Sequence, residues 1–205
     1  MTEEKQEAED MSEDKGFDFP YDLEDGKLEV NSLFQFTGTN PDYGDEEGED
    51  IASLEVINKS DQHLASAEIK VSLGAGTELT FEITDVPAGQ SVMVFEKNNT
   101  SYDTSDKCIA VEDTAEFEET TALMEDKLIV DVQETTVTLT NTTGEDLINL
   151  LLHCHCLVDD TYFGGLVYSY PIEMIPAGQS VTVQADECYM GTASVVRVSQ
   201  DNGEE

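Results

Sequence analysis

The chain has 205 residues, enough for one large domain or two smaller ones. Against 46 Asp and Glu stand only 9 Lys and Arg, a formal net charge of −37. Nucleic acids and anionic membrane surfaces are bound through cationic side chains, so both are excluded as partners.

In chain order, residues 1–20 come first, rich in Glu, Asp, Lys and Ser and without apolar periodicity. They are expected to form a disordered acidic leader or tether. "GFDFPYD" (Gly16 to Asp22) alternates aromatic and acidic residues, and is expected to lie on the first domain as an edge strand. No apolar run approaches the ~20 residues that span a bilayer, so this segment does not insert directly.

"LEVNSLFQF", "ASLEVIN", "AEIKVSL", "ELTFEIT" and "SVMVFEK" alternate apolar and polar residues with the period of half-buried strands. Between the first two lies "TGTNPDYGDEEGED", an acidic loop over residues 37–50. Asp42, Asp45, Glu46, Glu47, Glu49 and Asp50 crowd around Gly44 and Gly48 there. Calcium takes about six to eight oxygens from a turning backbone, so Asp42, Asp45, Glu47, Glu49 and Asp50 are candidate ligands. The spacing is not that of an EF-hand, and a flexible acidic loop is the simpler expectation.

After residue 117 the scheme starts again. "VPAGQSV" (Val86 to Val92) returns as "IPAGQSV" (Ile175 to Val181), "LEDGKLEV" returns as "MEDKLIV", and "VINKSDQHLASAEIKVSL" aligns with "LTNTTGEDLINLLLHCHC". Three matched segments in one order indicate a tandem duplication. The expected architecture is all-β: two tandem immunoglobulin-like β-sandwiches, residues 21–117 and 118–205, after the leader.

The duplication bears on "HCHC", which holds two of the three histidines. Cys154 and Cys156 align with Val71 and Leu73, whereas His153 and His155 align with Lys70 and Ser72. Strand alternation then puts both cysteines in the core and both histidines on the solvent face. A mixed zinc site is excluded, because the residue types point apart. The open alternatives are a histidine pair sharing a metal with Asp159 or Asp160, and a disulfide from Cys154 or Cys156 to Cys188. Cys108 has no evident partner.

"DDTYFGG" (Asp159 to Gly165) is longer than its counterpart "GAG". Its Tyr162 and Phe163 are candidate interaction residues, as exposed anchors for a partner or a sugar ring; Phe163 folding back over the end of the core is the competing expectation. No nucleophile sits beside an oriented base and no Gly-rich phosphate loop occurs, so no enzyme activity and no cofactor are expected.

"TNTTGEDLINL", "YFGGLVYSYPIEMIPAGQSVTV" and "CYMGTASVVRV" in the second half resemble FxLYD-like extracytoplasmic domains of Gram-positive bacteria. The resemblance implies a domain held beyond a lipobox or membrane anchor by a polar tether, with no fixed activity. The expectation is therefore a non-enzymatic interaction or spacer module at a bacterial cell surface. Its partner would be another protein or a cell-envelope component. The alternative is ligand binding, calcium at 37–50 or a glycan at 159–165.

Overall fold

The computed structural model describes residues 17–44, 47–74, 76–119 and 123–200. They form strands joined by turns and two single-turn 3₁₀ segments, Glu24–Gly26 and Asp186–Cys188. No helix among them is long and apolar enough to cross a membrane.

The first repeat holds β1 (Tyr21–Leu23), β2 (Leu28–Thr39), β3 (Glu47–Asn58), β4 (His63–Leu73), β5 (Glu78–Val86), β6 (Ser91–Phe95) and β7 (Cys108–Glu118). The second holds β8 (Leu128–Gln133), β9 (Thr136–Asn141), β10 (Leu147–Val158), β11 (Thr161–Phe163), β12 (Tyr168–Ile175), β13 (Ser180–Gln184) and β14 (Thr192–Gln200). The central pairings repeat. The order β2-β3-β6 in the first half recurs as β8-β9-β13, and β5-β4-β7 recurs as β12-β10-β14. In the first half both sheets contribute to one apolar core, built on Leu54, Val56, Ile69, Val71, Phe81, Val92 and Val94, giving a β-sandwich-like arrangement.

A buried asparagine fixes the corner of each repeat. Asn58 donates to the carbonyls of Gln62 and Val86, and its Oδ1 accepts from the Ser60 amide and hydroxyl. Asn141 makes the same four bonds, to Glu145, Ile175 and Thr143. Interior amides are tolerated only when satisfied, and here one side chain closes the β3–β4 or β9–β10 turn and ties it to the next strand.

The aromatic–acidic segment packs from its first described residue. Phe17, Phe19 and Tyr21 lie against the first core, the Phe17 amide donates to the Cys108 carbonyl, and β1 pairs with the edge of β2. The ordered fold thus begins before residue 21, and residues 17–20 belong to it rather than to a leader. Residues 1–16 lie outside the described residues.

β11 has no counterpart in the first repeat. It leaves β10 by a hairpin and pairs in parallel with β6, Thr161 to Ser91, Tyr162 to Val92 and Phe163 to Met93. One sheet therefore runs through both repeats in the order β1-β2-β3-β6-β11-β10-β12.

Candidate functional site at the joint

The two loops that stand out in the sequence meet. Asp42 of the acidic loop reaches into the second repeat, where its Oδ2 accepts from the Gly165 amide at 2.7 Å and its Oδ1 from the Leu166 amide at 3.2 Å. The Tyr168 hydroxyl donates to the Pro41 carbonyl, and the Gly165 carbonyl accepts from the Thr84 amide. The described part of the acidic loop is thus a fastened extension of the β2–β3 hairpin. Buried Asn40 holds it to Asn99 and to the Glu96 carbonyl, and Tyr43 donates to Glu82. Burial raises the Asp42 pKa to about 6, against the opposing pull of the two amides.

Of the calcium candidates, Asp42 is engaged elsewhere. Asp42 points at Gly165 and Leu166 instead of the loop interior, because the second repeat offers two amides that need acceptors. Glu47, Glu49 and Asp50 project from the exposed start of β3. Asp45 lies outside the described residues, as does Glu46. No group of three or more His, Cys, Asp or Glu able to hold a metal occurs among the described residues.

Tyr162 is buried and Phe163 half-buried within the chain. Tyr162 is 3% exposed and belongs to the first core although it lies in the second repeat. Phe163 packs edge-on against Phe36 and Phe95, with ring centroids at 5.8 and 5.1 Å. Tyr162 is not an exposed anchor, because parallel pairing with β6 turns it inward, while Phe163 folds back onto apolar side chains as the competing expectation had it. Two glycines permit the approach. Gly164 has φ of +104°, and a Cβ on Gly165 would overlap the Glu82 carbonyl oxygen.

The alignment of "HCHC" with "KVSL" carries over to the strand register, since β10 occupies the place of β4. Cys154 and Cys156 are buried in the second core, and Cys156 forms a disulfide with Cys188, their Cα atoms 4.9 Å apart. Cys108 and Cys154 are free thiols, and burial raises the pKa of Cys154 to about 12. The histidine face is not solvent, however. His155 is 1% exposed, donates through Nε2 to the Thr84 carbonyl at 2.7 Å, and stacks on Tyr162 with ring centroids 4.4 Å apart. The back of β10 faces the first repeat, a surface that strand alternation alone leaves to water. Burial lowers the His155 pKa to about 4. Both ring nitrogens of His153 are hydrogen-bonded, Nδ1 to Ser169 and Nε2 to Ser199, and no group of three or more His, Cys, Asp or Glu that includes it or His155 is placed to hold a metal among the described residues.

One ionic cluster had no advance sign beyond the uniqueness of Arg197 as the chain's single arginine. Arg197 reaches Asp85 Oδ1 through Nε at 2.8 Å and Nη2 at 2.7 Å, and extends Nη2 to Glu118 at 2.9 Å. Buried His63 shares the same carboxylate oxygen at 2.9 Å. Asp85 adopts a left-handed φ of 54°, which Asp tolerates better than most residues. Burial opposes its ionisation, but His63 and Arg197 outweigh burial and lower its pKa.

Beside β11 the joint leaves a cleft of about 400 Å³, lined by Phe34, Glu55, Met93, Thr161, Tyr162 and Phe163 among others. Apolar walls with a few polar groups, placed between two structural units, are the usual setting of a small-molecule site. No family model matches the chain, and no curated protein matches it.

Proposed function

We propose that the chain is a non-enzymatic interaction or spacer module, two tandem immunoglobulin-like sandwiches carried outside a bacterial cell on an acidic tether. The observation that carries this reading is the sheet continuous through β6 and β11. Units joined by strand pairing, a shared aromatic cluster and the Asp85–Arg197 ion pair hold a fixed geometry, which a spacer needs. The Cys156–Cys188 disulfide fits an oxidising compartment, and the resemblance to extracytoplasmic domains points the same way. Two of the three histidines are buried in structural contacts rather than set beside a nucleophile.

Residual dipolar couplings test the reading. One alignment tensor for both repeats is the expected result, and two independent tensors would reject a fixed spacer. Protease shaving of intact cells making the full-length protein tests its location.

The cleft beside β11 favours a second reading, binding of a small ligand such as a glycan ring against Phe34 or Phe163. A glycan array that detects binding by the native chain and none by Phe34→Ala would select it.

A further inference from the structure

In the first repeat, one side of the sandwich lies open between the edge strands β5 and β6, and residues 161–167 close it. β11 pairs with β6, the Gly164 amide donates to the Met93 carbonyl, the Thr84 amide donates to the Gly165 carbonyl, and the Val167 amide donates to the Thr84 hydroxyl. Gln90, the glutamine of "PAGQSV", reaches over and donates to the Asp160 carbonyl at 2.7 Å. Beneath this seal Val92 and Val94 are fully buried.

The second repeat has the same side, between β12 and β13, with no strand across it among the described residues; the Tyr170 hydroxyl of β12 reaches over, donating to Glu187 just after β13. β13 pairs with β9 alone. Val181 and Val183, which stand where Val92 and Val94 do, are only half-buried. The glutamine of the strand-capturing turn is present again as Gln179, with its side chain in solvent. We propose that the β13 edge is a strand-docking site, and that its occupant is the aromatic–Gly-Gly hairpin of another sandwich of this kind, added in parallel as β11 is added to β6. The chain itself shows what covers such an edge. The seal is a short strand, the carbonyl just before it held by the turn glutamine, followed by two glycines thin enough to cross to the facing sheet. The joint inside this chain would then be one instance of a contact that can repeat head to tail. The second repeat has no counterpart of the acidic loop, since β8 and β9 join through Glu134 and Thr135 alone, so the docked hairpin would lack the Asp42 clamp.

This inference rests on the reading of the chain as an interaction or spacer module, but the two fail separately, because the dipolar couplings report the internal joint and not the β13 edge. The test is an amide NMR titration of the full chain with a synthetic peptide of residues 159–167, in about 0.3 M salt to screen the chain's negative charge. The expected shifts fall on residues 179–184 and 172–174. Thr182→Pro should abolish them. Thr182 stands where Met93 offers its carbonyl to Gly164, so its own amide faces the open edge and its loss spares the β9 ladder. Gln179→Ala, which leaves the backbone intact, should weaken binding at least several-fold and serves if the proline variant does not fold. Shifts confined to residues 91–93, no shifts, or shifts that survive both substitutions would each overturn the proposal.

Discussion

Arg197 Nη2 lies 2.7 Å from Asp85 Oδ1, joining the last strand of the second repeat to the end of β5 in the first. The pair is partly buried and Arg197 also holds Glu118, so it couples three strands through one side chain. Removing the cation leaves Asp85 with His63 alone. Arg197→Met is therefore expected to cost about 2–3 kcal/mol, below the ~3–5 kcal/mol of a fully buried pair because Arg197 keeps some contact with water. Hydrogen exchange is expected to quicken first at Thr84 and Gly165. Arg197→Lys should recover only part of the loss, since a single ammonium cannot span both carboxylates.

Acid affects the joint through two groups of opposite sign. His155 has a folded pKa depressed from 6.5 to about 4, so its contribution is present above pH 6.5 and lost as pH falls toward 4. Asp42 has a folded pKa raised from 3.8 to about 6, so its contribution is present below pH 3.8 and lost as pH rises through 6. Each is worth on the order of 3 kcal/mol at full extent, and between pH 7 and 4 they largely offset. His155→Phe keeps a ring on Tyr162 but removes one titration. The melting temperature of the variant minus that of the native chain should rise by about 5 °C or more from pH 7.5 to 4.5. Asp42 and the overall charge are common to both proteins and cancel. A gap independent of pH would show that His155 does not need to stay neutral.

The Cys156–Cys188 bridge closes a loop with a sequence separation of 32. In the chain-entropy account a loop of that size stabilises by about 3–4 kcal/mol. Cys188→Ser should lower the melting temperature by roughly 10 °C. A non-reduced peptide map should find these two residues linked, with Cys108 and Cys154 alkylated only after denaturation because both are buried.

Gly165→Ala tests how closely the repeats approach. The added methyl has no room against the Glu82 carbonyl and Val94, so the hairpin must withdraw from β5. Loss of the Thr84–Gly165 bond, seen as faster exchange of the Thr84 amide, is the expected result, while Gly144→Ala, where a Cβ meets nothing, should leave the exchange unchanged.

Most strands were legible in the sequence because each half buries one face of each strand, and the period of two follows directly. The duplication was legible for the same reason, down to Asn58 and Asn141, whose identical bonds keep the two turns alike. The joint was not. Burial along β10 alternates from Leu150 to Cys154 and then fails, because His155 is covered from the back by a surface some 70 residues earlier. Nothing local in "HCHC" distinguishes a polar face turned to water from one turned to another sheet. Asp42 was misplaced for a related reason: an acidic cluster marks negative charge, but whether an oxygen meets a cation or two backbone amides depends on residues far along the chain.

The seal on the first repeat has a consequence during synthesis. Val92 and Val94 emerge from the ribosome long before Tyr162 and Gly165, which cover that side, and Asp42 waits 123 residues for its partner amide. Contacts so distant in sequence form late, after a large loss of chain freedom. Until then the nascent first repeat presents an unpaired β6 edge flanked by apolar side chains, the kind of surface through which growing chains associate with one another.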